Sequence, residues 1–213
     1  MIQRTVKTRV VGIGLSIDET VYAIVDVRGN IIAKDTFATT DFVNVNEFVT
    51  FLSEKVVEMI ENNGGYECIR SVGVSSPSAN FLTGCIENAP NLPWKGQIPL
   101  AAMLQDRLGL AVALGNDAHV RALGEYVFGS AHGMKDFIVV NLGHGVGSCI
   151  FTKGKAHLGS EGFGRDRPLL RRAQRTPLRM RQSWLSGGLC RCQRHCADGL
   201  RGDGGEWQAF ADA

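Results

Sequence analysis

The chain has 213 residues, of which 44% are hydrophobic and 21% charged, with only 6 prolines. That is ordinary globular composition with room for one large or two small domains, and it excludes collagen-like, coiled-coil and low-complexity architectures. The formal net charge of +2 is too small to suggest a nucleic-acid protein by itself.

Residues 1–9 read as a polar extension, too basic for a signal peptide. No apolar run approaches the ~18 residues of a membrane span, so a soluble, cytoplasmic protein with no membrane partner is expected. Residues 10–15 and 21–27 read as strands, and 31–37 as a third, with Arg28-Gly29-Asn30 as the hairpin turn. From Asn46, the apolar positions Phe48, Phe51, Leu52, Val56, Met59 and Ile60 recur at helical spacing. Asn46 is placed to cap that helix, and Asn62-Asn63-Gly64-Gly65 to stop it. A strand at 69–75 follows, then a loop rich in Pro and Asn through Trp94, a short helix at about 99–108 and a strand at 111–114. Another helix spans about 118–127. Beyond it, strands at 137–142 and 148–152 hinge on Gly143-His144-Gly145-Val146-Gly147, and Lys153-Gly154-Lys155 is a turn. Cys68, Cys85 and Cys149 stand singly in apolar surroundings and are expected to be reduced, buried thiols.

This order predicts an α/β fold: one α/β domain at 10–117, then the opening of a second at 118–163. In such sheets ligands gather at the carboxyl ends of strands, where both Asn116-Asp117 and the 143–147 turn stand. Asp117 is placed either to cap the following helix or to accept a proton from a substrate hydroxyl, as phosphoryl transfer to an alcohol requires. Glycine at every second position of 143–147 leaves backbone N–H groups open to an anion such as phosphate; a tight hairpin needing positive φ explains it equally. Cys190, Cys192, His195 and Cys196 are too closely spaced to close comfortably on zinc.

Taken together these pieces resemble the ROK family of sugar kinases and sugar-responsive repressors. The resemblance covers about residues 10–163. It is carried by Asn116-Asp117-Ala118-x-x-x-Ala122-x-Gly124-Glu125, Leu142-Gly143-His144-Gly145-Val146-Gly147-Ser148, Ala89-Pro90-Asn91-Leu92-Pro93-Trp94 and Gly159-x-x-Gly162-Phe163. It implies the actin-like ATPase (ribonuclease-H-like) fold, two α/β domains that close on ATP-Mg and a hexose, homo-oligomeric assembly and a structural zinc. By that resemblance Asp117 is the catalytic base, Asn116 and Asn91 are sugar contacts, Gly143, His144 and Gly145 form the second phosphate loop, and Ser16 belongs to the first. Family kinases carry Asp-x-Gly-Gly-Thr at the first loop, where this chain has Gly14-Leu15-Ser16-Ile17-Asp18, so a carboxylate and two glycines are lost. His144 replaces the usual Thr. Such erosion fits the non-catalytic, sugar-binding repressor branch as the alternative to a kinase.

The last fifty residues change vocabulary. Residues 1–163 hold 13 Lys+Arg against 16 Asp+Glu; residues 164–213 hold 10 against 5, all ten of them Arg, with no Val, Ile, Tyr, Asn or Lys. A disordered basic arm contacting nucleic acid is one reading, but the arginines share no helical face and nucleic acid is not expected as a partner. A shift of one base explains more. Gly164-Arg165-Asp166-Arg167-Pro168 written GGG AGA GAT CGG CCA gives Gly-Glu-Ile-Gly-His from its second base, and Leu178 to Gly188 likewise yield the family's zinc-binding Cys-Gly-Cys-Gly-x-x-Gly-Cys-Leu-Glu. Met180 and Trp184 leave little freedom, since ATG shifted can give only Cys or a stop and TGG before a Leu codon must give Gly. As written the chain lacks the sugar-binding Glu and His and all four zinc ligands, so an inactive product with an out-of-frame, disordered tail and a second domain only begun is expected.

Overall fold

Alternation builds the first layer. In β1 (Arg9–Leu15), Val11, Ile13 and Leu15 are buried while Gly12 and Gly14 face the other way, the period-two pattern of a strand with one face in a core. β2 (Glu19–Asp26) and β3 (Ile31–Ala38) complete an antiparallel meander. The turn between them is locked by the Asp26 carboxylate, which accepts from the N–H groups of Arg28 and Asn30 at 2.8 and 2.9 Å. β2 begins two residues earlier than its apolar run because Thr20 is fully buried, its hydroxyl 2.8 Å from that of Thr39; a polar residue satisfied inside the core hides from a hydrophobicity pattern. The computed structural model describes residues 7–142 and 146–158. The 143–145 loop, Gly159-x-x-Gly162-Phe163 and the tail from 164, with its proposed frame and its cysteines, lie outside the described residues.

α1 (Val45–Asn62) buries Phe48, Val49, Leu52, Val56 and Ile60. Its cap is Asn44, not Asn46: the Asn44 side chain accepts from Asn46 N–H at 2.8 Å, which satisfies one of the orphan donors of the first turn. The helix stops where Gly64 and Gly65 take φ of +100° and +74°. β4 (Ile69–Ser76) then enters parallel to β1. The segment expected as a plain loop holds three short strands, β5 (Ala79–Asn80), β6 (Cys85–Glu87) and β7 (Gln97–Ile98), paired in that order. Runs of two or three residues are too short to show a period. α2 (Leu100–Leu108) leads to β8 (Val112–Asn116), parallel to β4. The main sheet runs β3-β2-β1-β4-β8, and α1 and α2 bury Leu52, Val56, Leu100 and Leu104 with Val11, Ile13, Val72 and Val74 in one core. Fully burying each such side chain is worth about 1.5–3 kcal/mol.

α3 (Asp117–Phe128) lies over the sheet's other face. A β-carbon at Gly115 would meet Val120 Cγ2 at 2.8 Å, so glycine there admits the helix, whereas Gly29, near the Phe128 ring, is glycine chiefly for its φ of +86°. β9 (Phe137–Leu142), β10 (Val146–Thr152) and β11 (Lys155–Ala156) make a second sheet in the order β11-β10-β9. It packs Cys149 and Phe151 against Ala122 and Tyr126 of α3. Of the thiols expected to be buried, Cys85 and Cys149 are so; Cys68 is half-exposed, at the end of a short 3-10 turn (Tyr66–Cys68). Among the described residues no helix is long and apolar enough to cross a membrane.

Candidate functional site

β1, β4 and β8 run parallel, so their carboxyl ends share one edge of the sheet. Gly14 is in register with Ser75, Ser75 with Gly115, and Ser76 with Asn116. Neighbouring strands lie ~4.8 Å apart, which puts the ends of β1 and β8 about 10 Å from one another across β4.

At this edge β8 turns directly into α3. Asn116, 8% exposed, is the helix cap: its side-chain oxygen accepts from Ala118 N–H at 3.1 Å. Asp117 is therefore not the cap, as one sequence reading allowed, but the first helical residue. It is half-buried, its Oδ1 2.8 Å from the same N–H, and a carboxylate in the first turn meets the positive end of the helix dipole. The backbone runs straight from a buried strand into the helix, so both side chains start from fixed positions at the sheet's edge.

Asn91 is held by a different device. Ala89, Leu92 and Trp94 are 2%, 1% and 5% exposed, whereas Asn91 is exposed. The Trp94 indole packs tilted against Phe48, ring centroids 4.6 Å apart, and donates its N–H to Phe42 O at 3.1 Å. The Lys95 ammonium donates to Pro90 O and Leu92 O. Buried anchors on either side thus present one polar side chain outward. Among the described residues no hydrogen bond joins Asn91 to Asn116 or Asp117.

Ser16 sits in the tight β1–β2 turn. Its hydroxyl donates to Glu19 O at 2.8 Å and lies 3.2 Å from Glu19 N, and its own N–H donates to Glu19 O. The turn is closed on itself and contains no glycine, so its hydroxyl is already used. At Gly14, where the family resemblance expects a carboxylate, a β-carbon would find only Val21 O at 4.0 Å; the residue is small without being forced to be. Among the described residues no group of three or more His, Cys, Asp or Glu is arranged to hold a metal ion. At this turn Gly14 supplies no carboxylate where the resemblance expects one, so that contact to a phosphate-bound magnesium is missing. Gly143, His144 and Gly145 lie outside the described residues.

Sequence reading missed a further polar set at the same edge. Ser76, Ser78 and Asn80 are 0%, 4% and 5% exposed, Ser78 with a left-handed φ of +53°. The Asn80 amide and the Thr83 hydroxyl both donate to Glu87 Oε1, at 3.0 and 2.9 Å. The signal was present as a polar run, Ser75-Ser76-Pro77-Ser78-Ala79-Asn80, immediately after a buried strand.

Residues 10–166 match the model of the ROK family. A glucokinase of Thermotoga maritima is 29% identical over 159 residues, which is 74% of this chain and 49% of that protein. The xylose repressor of Caldicellulosiruptor bescii is 33% identical over 96 residues, 45% of this chain and 24% of that one. Among solved structures, the ROK family glucokinase from Streptomyces griseus in complex with glucose and AMPPNP superposes with a TM-score of 0.65 at 27% identity, over 74% of this chain and 49% of that one. The mixed sheet with its parallel β1-β4-β8 core is thus the actin-like ATPase fold, and the chain spans about half the length of the glucokinases it matches.

Proposed function

The chain belongs to the ROK family, and we propose that it carries the base-bearing, sugar-contacting part of an ATP-dependent hexose kinase of the glucokinase type. The observation that carries this is the junction of β8 and α3: a buried Asn116 followed by a half-buried Asp117 at the carboxyl edge of a parallel sheet. Asp117 accepts the proton of the hexose hydroxyl as its oxygen attacks phosphorus, the work of a positioned general base. Asn116 spends its Oδ1 on the cap, which leaves the Nδ2 amide to donate to a neighbouring hydroxyl. Asn91 adds a second polar contact from a rigidly anchored loop. ATP would supply the transferred γ-phosphoryl group, in keeping with the glucose-bound and AMPPNP-bound relative. Gly14 gives a phosphate-bound magnesium no carboxylate at the β1–β2 turn. Gly143, His144 and Gly145 are proposed phosphate contacts, and Ser16 is one only if its hydroxyl leaves Glu19 O. Cytoplasmic location, homo-oligomeric assembly, the domain boundary near 117 and a frame shift after Phe163 belong to the same proposal.

The closed, glycine-free β1–β2 turn favours a second reading, a sugar-binding regulator that does not transfer phosphate; the xylose repressor match agrees with it. A coupled assay for ATP-dependent glucose phosphorylation, run on this chain and on a version with the frame restored after Phe163, separates the two. Turnover abolished by Asp117→Asn supports the kinase. Glucose binding by calorimetry without turnover supports the regulator, and neither binding nor turnover in the frame-restored protein refutes both. Independent sequencing of the gene decides the frame: an uninterrupted frame with no alternative encoding the zinc motif ends that part.

A further inference from the structure

His119 stands two residues beyond the proposed base and is only 4% exposed. A buried imidazole needs a partner, and its partner comes from 38 residues away: Nε2 lies 3.2 Å from the carbonyl oxygen of His157. Since a carbonyl only accepts, Nε2 carries the proton. The His157 backbone is itself fixed, its N–H donating to Ile150 O in β10 at 2.8 Å, which carries the β10–β11 ladder one residue further. One residue of backbone therefore links the second sheet, through its N–H, to the first turn of α3, through its carbonyl.

We propose that His119 is a positioning residue for Asp117: its Nε2–H···O=C bond to His157 pins the first turn of α3 to the second sheet and so sets where the Asp117 carboxylate stands at the sheet edge. This rests on the reading of Asp117 as the base. The first turn has two restraints of different kinds. The Asn116 cap fixes the turn's backbone to the end of β8, and the His119 bond fixes its side to β11. Ala118 and Ala122, the other buried residues of α3, are small, and the ring contacts of Tyr126 with Phe151 lie two turns further on, so the polar bond is the restraint that ties the first turn itself to the second sheet. A base misplaced by 1 Å can cost on the order of 100-fold in rate.

The test uses the full chain, His119→Leu, which keeps bulk and removes the donor, and His119→Gln, whose amide nitrogen reaches a similar position. The primary readout is hydrogen exchange at the Ala118 amide, which is held by the Asn116 and Asp117 side chains. The expected result is at least tenfold faster exchange at Ala118 in His119→Leu, with amides of β1 and β4 unchanged, and recovery in His119→Gln. Unchanged exchange at Ala118, or acceleration shared equally with β1 and β4, overturns the proposal, because a loss of general stability moves all amides together. The second readout, in the frame-restored protein, is glucose phosphorylation: kcat falls about tenfold in His119→Leu with KM for glucose unchanged, and His119→Gln restores it. If the frame-restored parent shows no turnover, the kinase reading is what fails, and the exchange result still decides the tether.

Discussion

Trp94 offers the sharpest test of how the candidate sugar contact at Asn91 is held. Two substitutions separate its two jobs. Trp94→Phe keeps a ring against Phe48 but removes the indole N–H that reaches Phe42 O at 3.1 Å, leaving a carbonyl unpaired at a cost of about 1–3 kcal/mol. Trp94→Ala also empties a site that is 5% exposed, and large-to-small changes of this kind cost about 3–5 kcal/mol. Asn91→Ala removes only an exposed side chain and should stay within about 0.5 kcal/mol of the parent. Urea unfolding followed by far-UV circular dichroism measures all three, with unchanged m-values showing that stability alone has moved. Glucose titration of the same proteins should then rank differently: Asn91→Ala loses affinity at full stability, whereas Trp94→Phe loses little of either affinity or fold at 25 °C. Equal stabilities for Trp94→Phe and Trp94→Ala, or a Trp94→Ala cost below about 1 kcal/mol, would show that the loop is not anchored through this residue.

Asn116→Ala removes a buried cap and should cost about 1 kcal/mol in chemical denaturation, while Asp117→Asn, nearly isosteric, should stay within about 0.5 kcal/mol yet end any turnover. Gly29→Ala meets both a φ of +86° and the Phe128 ring; the φ alone costs about 1–2 kcal/mol. Because Phe128 is 62% exposed and free to swing away, adding Phe128→Ala should recover only the smaller, steric part; full recovery would refute the backbone account. Burial first, and then the hydrogen bond to Asp35, push the Tyr22 phenol up to about 12 from 10. A raised folded-state pKa gives stability that is complete below pH 10 and lost as pH climbs through about 12, so the parent should lose on the order of 2 kcal/mol over that window relative to Tyr22→Phe. Parallel pH profiles for the two proteins would dismiss the effect.

The strands and helices of the main sheet were legible because each presents one apolar face at a regular period. Val11, Ile13 and Leu15 alternate in β1, and Phe48, Leu52, Val56 and Ile60 recur in α1. What escaped was carried by polar hydrogen bonds, which leave no apolar period. Thr20 pairs with Thr39, Asn44 rather than Asn46 caps α1, and β8 runs on through Gly115 and Asn116 because β4 still offers Ser75 and Ser76 as partners. The β8–α3 junction was legible as a place, since a strand end followed by Asn-Asp marks a helix start. Which of the two residues caps the helix was not, because Asn and Asp cap about equally well. The Ser76, Ser78 and Asn80 set and the His119 bond depend on contacts between distant segments, which no local pattern encodes.

Two supports of very different strength meet at α3. The core beneath α1 and α2 closes on large side chains from the strands and both helices, with Ile24, Phe48, Ile60, Ile69 and Leu104 each fully buried. The cluster under α3 has only Ala122, Cys149 and Phe151 buried, with Leu123 and Val127 of the helix and Ile138 of β9 at 45%, 46% and 63% exposure. Opening free energy follows local burial, so the far end of α3 and the second sheet should open well before the main sheet does. The backbone of Asp117 does not share that weakness. Asp117 follows directly on β8, whose ladder to β4 extends through Asn116, so its backbone moves with the stronger core even while Leu123 to Phe128 loosen.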